Sequence, residues 1–271
     1  MAALKPIGLT GVGLVAPGLP GWTASLPVLR GLVPHRPQEL PQLKPSLLPA
    51  GERRRATSLV RLTLAAAEDA MAGGRAEQAP MGSVFASSSG DLAIVDRICD
   101  ALTLADRPVS PTHFHNSVHN AASGYWSIAT GWMTPSVSLS AYDDTFVTGL
   151  TEAMTMVHSE NAPILLVTYD QPGPAPFYGH RAITEPFAVA LLLDPDLTKP
   201  HLAEFVLGVG KSLEPAVRLA DPCLDALLRA NPAARSLPLL IAVAGGESRT
   251  IRLSQSVDLV VHSLVTEDEV L

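Results

Sequence analysis

A chain of 271 residues with 47% hydrophobic and 17% charged side chains can bury a full core, which excludes a disordered tail or a small disulfide-stapled scaffold. A formal net charge of -7, with 4 Lys against 15 Arg, argues against a phosphate-neutralising surface, so nucleic acid is not an expected partner. Cys99 and Cys223 stand far apart and outside any paired spacing; neither a disulfide frame nor a zinc knuckle is supported, and the reduced cytoplasm is the expected location.

Pro6, Gly8, Gly11, Gly13 and Pro17 interrupt the first apolar stretch, so no signal peptide is expected. The longest apolar run elsewhere, around Phe187–Leu193, is far short of the roughly 20 residues that cross a bilayer, and a soluble protein without a membrane span is predicted. Ile7–Val15, apolar with close glycines, suits a buried strand whose backbone is approached by a neighbour. A Pro-rich stretch follows. Leu59, Leu62, Ala66 and Ala70 then recur at helical spacing before Gly73-Gly74, predicting a helix over Glu52–Met71. Ser83–Ala86 is a short strand, Ser87-Ser88-Ser89-Gly90 a turn, and Leu92, Val95, Ile98 and Leu102 one face of a further helix.

Asn116 or Ser117 is placed to cap a helix running through Ile128, whose small residues Ala121–Gly124 imply a neighbour pressed against it. Ser136–Ala141 alternates polar and apolar with period two, the mark of a strand with two unlike faces. Asp143-Asp144 ends it and opens a helix with Phe146, Leu150, Ala153 and Val157 as its buried stripe; strands Ile164–Thr168 and Phe187–Leu193 follow. This alternation predicts a layered α/β sheet with right-handed crossovers. Beyond Asp194 the pattern is less regular. Leu202–Val209 reads as extended, Asp221–Ala230 as a helix, Leu237–Ala244 and Thr250–Leu253 as strands joined at Gly245-Gly246, and Val257–Leu264 fits strand or helix equally.

Gly11-Val12-Gly13 resembles a dinucleotide fingerprint, yet Pro17, Gly18 and Pro20 fall where its helix would have to run. Gly210-Lys211-Ser212 resembles the end of a phosphate loop, but Phe205 stands in place of the upstream glycine. His113, His115 and His119 have no local carboxylate and suit polar loop histidines near an interface better than a metal site. No Gly-x-Ser-x-Gly elbow exists. Cys223 follows Asp221-Pro222 at a helix start, where the neighbouring acid opposes a thiolate, so a buried, inert thiol is expected. The strand-to-helix corner at Asp143 is the strongest candidate for chemistry, because it faces the positive end of a helix dipole. Its plain alternative is an N-cap role for Asp143 or Asp144, and a carboxylate held ionised there is a poor acid and a weak nucleophile.

In chain order, Ile7–Gly18, the alanine-rich Arg53–Ala70, Val84-Phe85-Ala86-Ser87-Ser88-Ser89-Gly90, Ser110–Gly124 and Pro135–Ser140 resemble the N-terminal half of a β-ketoacyl synthase of the thiolase-like fold. The resemblance covers about residues 5–195 and implies a division into a ketosynthase-like unit over 1–195 and a short C-terminal extension of helix and strands over 196–271, in one globule. Two departures bear on function. The cysteine that carries the acyl thioester in that family aligns with Asp143, preceded by Tyr142, and the second half that supplies its catalytic histidines and lysine has no counterpart in the tail. Without them the usual acyl transfer has no nucleophile, so no catalytic residue and no cofactor are expected.

What the resemblance implies is a chain-length-factor type of partner, most like those of aryl polyene and related fatty-acid-type pathways. Such a chain pairs with an active ketosynthase as a heterodimer, with a homodimer as the other option, and meets acyl carrier protein through the complex. Phe114, His115, Asn116 and Val118, with Val137, Leu139 and Ala141 of the strand before the corner, are the residues expected at the interface and tunnel. Phe114 either reaches toward the partner or packs under its own helix. The alternative function is a hydrolase or decarboxylase in which Asp143 and a histidine of the 113–119 run activate water.

Overall fold

A computed structural model describes residues 5–74, 79–209, 217–254 and 257–263. In chain order the elements are β1 (Ile7–Val15), α1 (Trp22–Leu29), α2 (Ala50–Arg55), α3 (Ser58–Gly73), β2 (Gly82–Ala86), α4 (Leu92–Thr103), α5 (Pro111–Asn116), α6 (Ala121–Thr130), β3 (Ser136–Leu139), α7 (Thr145–Glu160), β4 (Ile164–Asp170), α8 (Ala175–Tyr178), β5 (Phe187–Asp194), β6 (Ala203–Val209), α9 (Pro222–Ala230), α10 (Leu237–Gly245), β7 (Arg249–Arg252) and β8 (Val257–Ser263). The strands form one sheet in the order β3-β2-β4-β5-β1-β6-β8-β7. Among the described strands only β3, β2 and β4 run parallel; every other neighbouring pair is antiparallel.

Side chains leave successive strand residues on opposite faces, and the core divides accordingly. Ile164 and Leu166 of β4 and Val189, Leu191 and Leu193 of β5 meet α7, α9 and α10; Leu165, Val167, Ala188 and Ala190 meet α3 and α6. In β1 the register slips between Leu9 and Gly11. That bulge switches the parity, so Leu9 and Val12 lie on the same face. The other face presents Gly11 and Gly13 to α3, where a Cβ on Gly13 would sit 1.9 Å from the Ala66 carbonyl oxygen and 2.6 Å from the Ala70 nitrogen. The close glycines of the opening strand therefore do what their spacing suggests: they let helix backbone rest on strand backbone.

Several sequence expectations need correction. The helix expected over Glu52–Met71 is two helices, because Ala56 turns extended and Thr57 Oγ1 accepts the Val60 amide to start α3 afresh. Asn116 and Ser117 do not cap the next long helix. They end α5, which begins at the Ser110-Pro111 signal, and α6 starts only at Ala121. Of its small residues, Ala122 and Ser123 are buried, while Gly124 faces open space. The strand before the corner stops at Leu139, and the 3₁₀ turn Tyr142–Asp144 precedes α7. Leu237–Ala244 is helical, since Pro238 opens α10 and Gly246, at φ 68°, closes it; buried on nearly all sides, its apolar run carries no period that separates helix from strand. Val257–Ser263 is a strand. Leu264 and Gly210-Lys211-Ser212 lie outside the described residues. The sequence patterns did not expose α1 or α8.

Gly13→Ala is expected to lower the unfolding free energy in urea by about 3 kcal/mol. Gly51→Ala, in a helix where an added Cβ meets nothing within 4 Å, should leave stability unchanged or slightly raised. Equal unfolding midpoints for the two variants would contradict the contact.

Candidate functional site

The parallel strands β2, β3 and β4 end together, and the loops leaving those carboxyl ends make the crevice where α/β sheets collect polar groups. After β3, the Ser140 hydroxyl donates to the Ser88 carbonyl at 3.0 Å, tying the corner to the turn after β2. Thr145 then holds the bend from inside: its Oγ1 accepts the Ala141 amide at 3.1 Å and donates to the Tyr142 carbonyl at 2.7 Å. Tyr142 itself has φ 52°, a left-handed conformation that costs an aromatic residue about 1–3 kcal/mol and persists only where surroundings enforce it. The strained residue of the corner is thus Tyr142, and Asp143 follows it.

Both aspartates of the corner are engaged by guanidinium groups. Arg181 Nη1 reaches Asp143 Oδ1 at 2.6 Å, Arg235 Nη2 reaches Asp143 Oδ2 at 3.1 Å, and Arg235 Nη1 reaches Asp144 Oδ1 at 3.5 Å. The Arg181 guanidinium also lies 3.9 Å from the centroid of the Tyr142 ring, a cation–π contact to the strained residue. Neither carboxylate caps α7 through a hydrogen bond, so the N-cap role expected for them is replaced by this double clamp.

Beneath the corner, Asp170 closes β4. Its Oδ1 accepts the Ser87 hydroxyl at 3.0 Å and the Ser88 amide and hydroxyl at 2.8 Å each. Asn231 donates from Nδ2 to the Asp170 carbonyl at 3.2 Å and the Glu185 carbonyl at 2.9 Å. Burial pushes the Asp170 carboxyl up to about 6, against the opposing pull of the Ser88 and Ser87 hydrogen bonds and the Arg181 charge. Asp170, Arg181, Asn231 and Arg235 were not among the residues expected here. A carboxylate ending the apolar run Ile164–Tyr169 is the signal for Asp170; the other three come from connections and a short 3₁₀ turn with no local pattern.

The expected interface residues spread around this centre. Phe114 is 68% exposed and Val118 50% exposed, so Phe114 does not pack beneath its own helix. His115 meets Tyr125 edge-on at 5.9 Å. Asn116 is buried, its amide donating to the Thr112 carbonyl at 2.9 Å and the Arg55 carbonyl at 3.3 Å, which fastens α5 to the end of α2. Val137 and Leu139 pack partly against the core on the α7 side, while Ser138 faces α6 and meets Ser123 at 3.1 Å, as the alternation predicts. Ala141 is half-buried at the corner. The three histidines diverge: His119 bonds the Ser87 carbonyl at 3.0 Å, and His113 instead lines a cleft of about 530 Å³ with Arg54, Arg55 and Arg97.

The raised Asp170 carboxyl has a consequence for stability. Unfolded, it loses its proton near 3.8; folded, it holds the proton until about pH 6. Between those values the folded state binds more protons, so stability is full below the lower value and falls as pH rises through the higher one, by about 3 kcal/mol at most. Asp170→Asn should remove that slope. Relative to wild type, the variant gains stability between pH 4 and pH 7 in urea titrations, and parallel curves would refute the buried acid.

The family model for the β-ketoacyl synthase N-terminal domain matches residues 31–214. No curated protein matches the chain. Among solved structures, a chain of the ketosynthase (ApeO) in complex with its chain length factor (ApeC) from Xenorhabdus doucetiae is 24% identical with a TM-score of 0.72, covering 96% of this chain and 100% of that one. A chain of the ishigamide ketosynthase/chain length factor is 15% identical, with a TM-score of 0.71 and coverage of 97% and 100%. A chain of AntDE:AntF, a type II PKS acyl-carrier protein in complex with its ketosynthase, is 12% identical, with a TM-score of 0.72 and coverage of 96% and 99%. With parallel strands feeding a bent corner and helices on both faces, and with the family model spanning well over half of its length, the chain belongs to the β-ketoacyl synthase family and has its thiolase-like fold.

Proposed function

We propose that this chain is a non-catalytic, chain-length-factor type of subunit that pairs with an active ketosynthase working on carrier-bound chains in polyene or fatty-acid-type biosynthesis. The observation that carries this is the corner. At the position that the family resemblance assigns to an acylated cysteine there is an aspartate clamped by two arginines, next to a strained tyrosine. Both thiols are elsewhere and exposed, Cys99 on α4 and Cys223 on α9. A carboxylate with each oxygen engaged by a guanidinium is also poorly placed to activate water, which speaks against a hydrolase built on Asp143.

Three further features support a partner subunit. Strand β3 is an edge of the sheet, with one side of its backbone unpaired among the described strands, and an exposed edge invites a strand from a second subunit. Phe114, Val118, Ile128 and Met133, all between the start of α5 and β3, are exposed apolar side chains, Met133 at 97%. The structural neighbours from ketosynthase–chain length factor complexes are spanned end to end, so they are chains of this same size. The arginine-lined cleft at Arg54, Arg55 and Arg97 suits an anionic group such as the phosphate ester of a carrier-bound chain. No helix among the described residues is long and apolar enough to cross a membrane.

Co-expression with a ketosynthase of the same genome should yield a one-to-one complex by native mass spectrometry. Incubated with a labelled acyl-carrier thioester, the complex takes label on the ketosynthase alone, and the isolated chain takes none. Stable acylation of this chain, or its purification only as a homodimer, would overturn the proposal.

Within that complex, Phe114→Ala should lengthen the products while leaving the fold intact. Because Phe114 is mostly exposed in the single chain, its loss is expected to change unfolding free energy by less than about 0.5 kcal/mol. Unchanged product length with the complex still assembled would remove Phe114 from the tunnel end.

A further inference from the structure

Away from the corner, a second group of side chains meets where the Pro-rich segment touches the start of α9. His35 is buried, at 5% exposure. Its Nε2 lies 2.9 Å from the Pro17 carbonyl oxygen, a contact in which Nε2 donates, so that Nδ1 is the nitrogen a neutral ring offers to a ligand. That Nδ1 is buried with no hydrogen-bond partner among the described residues. Gly18 leaves room for the ring: at φ 76°, a Cβ there would come within 3.0 Å of His35 Nε2 and 2.3 Å of the Arg36 carbonyl oxygen. Facing the ring are Asp221 and Cys223, and His35, Asp221 and Cys223 each bring one ligand atom to within 4.8 Å of the others.

We propose that His35, Asp221 and Cys223 form a binding site for a borderline divalent transition-metal cation, zinc first among them. The donor set of one imidazole nitrogen, one thiolate and one carboxylate matches zinc and not calcium or magnesium, which take oxygen ligands. The Nε2–Pro17 contact is the outer-shell bond that orients a metal-binding histidine through its other nitrogen. Asp221 is already oriented: Oδ1 accepts the Cys223 and Leu224 amides at 2.8 and 3.0 Å, and Oδ2 accepts the His35 amide at 2.8 Å, leaving lone-pair capacity on the carboxylate. Tetrahedral zinc needs ligand atoms roughly 3.3–3.8 Å apart. Cys223, exposed where burial was expected, is the member with room to turn inward, and solvent supplies a fourth ligand on the same side. Occupied, the site joins residues near the amino end to a helix of the C-terminal part, two regions separated by some of the longest sequence distance in the fold.

Chelator-stripped protein titrated with Co²⁺ should bind one equivalent and develop a thiolate-to-cobalt charge-transfer band, which Zn²⁺ then displaces. Cys223→Ser, at an exposed position, should fold normally by circular dichroism, lose the band and bind Zn²⁺ more weakly by roughly tenfold or more in calorimetry. Cys99→Ser, the other exposed thiol, should behave as wild type. A band that survives Cys223→Ser, a band lost in Cys99→Ser, or no binding of Co²⁺ and Zn²⁺ at all would overturn the proposal.

Discussion

The fold depends on how closely α3 lies on β1. Residues Ile7–Leu9 pair with β6 on one side, but beyond Leu9 no strand among the described residues pairs on that side of β1, and its amides must be satisfied some other way. With glycine at 11 and 13 the helix comes near enough for Asp69 Oδ2 to accept the Leu14 amide at 3.0 Å and the Trp22 amide at 2.7 Å. One carboxylate oxygen therefore completes the end of β1 and launches α1. A side chain at either glycine pushes the helix outward and strands those donors, so packing and hydrogen bonding fail together.

From that centre the sheet extends in two chemically different directions. Toward β3, beyond the antiparallel β5, the strands β4, β2 and β3 are parallel, with helices covering both faces and strand ends gathered on one side, where Ser87, Ser88, Ser140 and Asp170 meet. Toward β7 it is antiparallel; β7 and β8 are adjacent in the chain, while the connection from β6 to β7 carries α9 and α10, which fold back onto the same face as α7. Arg30 Nε donates to the Ala244 carbonyl at 2.8 Å, linking the end of α1 to α10. The C-terminal part thus supplies core to the α7 face, and through Asn231 and Arg235 it also supplies two of the groups that hold the corner.

The corner holds a strained residue in place through charged groups. Arg181 has few ways to satisfy its guanidinium other than the Asp143 carboxylate and the Tyr142 ring, because its side chain is only 14% exposed. Partial burial strengthens these contacts relative to a surface pair, and the geometry locks Tyr142 into a conformation that it would not choose alone.

Much of this was legible in the residues. Period-two alternation located Ser136–Leu139 and its two faces, close glycines marked β1 as a strand approached by backbone, and the ordered motifs carried the family. These features are local, so the side-chain pattern and the backbone it requires are adjacent in the chain. The rest was decided by contacts between distant residues. Leu237–Ala244 has no polar side to report its periodicity, so its helix is marked only at its ends, by Pro238 and Gly246. Arg181, Arg235 and Asn231 sit in connecting segments whose sequence says nothing of the carboxylates and carbonyls they reach, and His35 is brought beside Asp221 from far along the chain. Local pattern sets which backbone a segment prefers, but charge and hydrogen bonding act through space, and only the assembled sheet determines which groups come within reach.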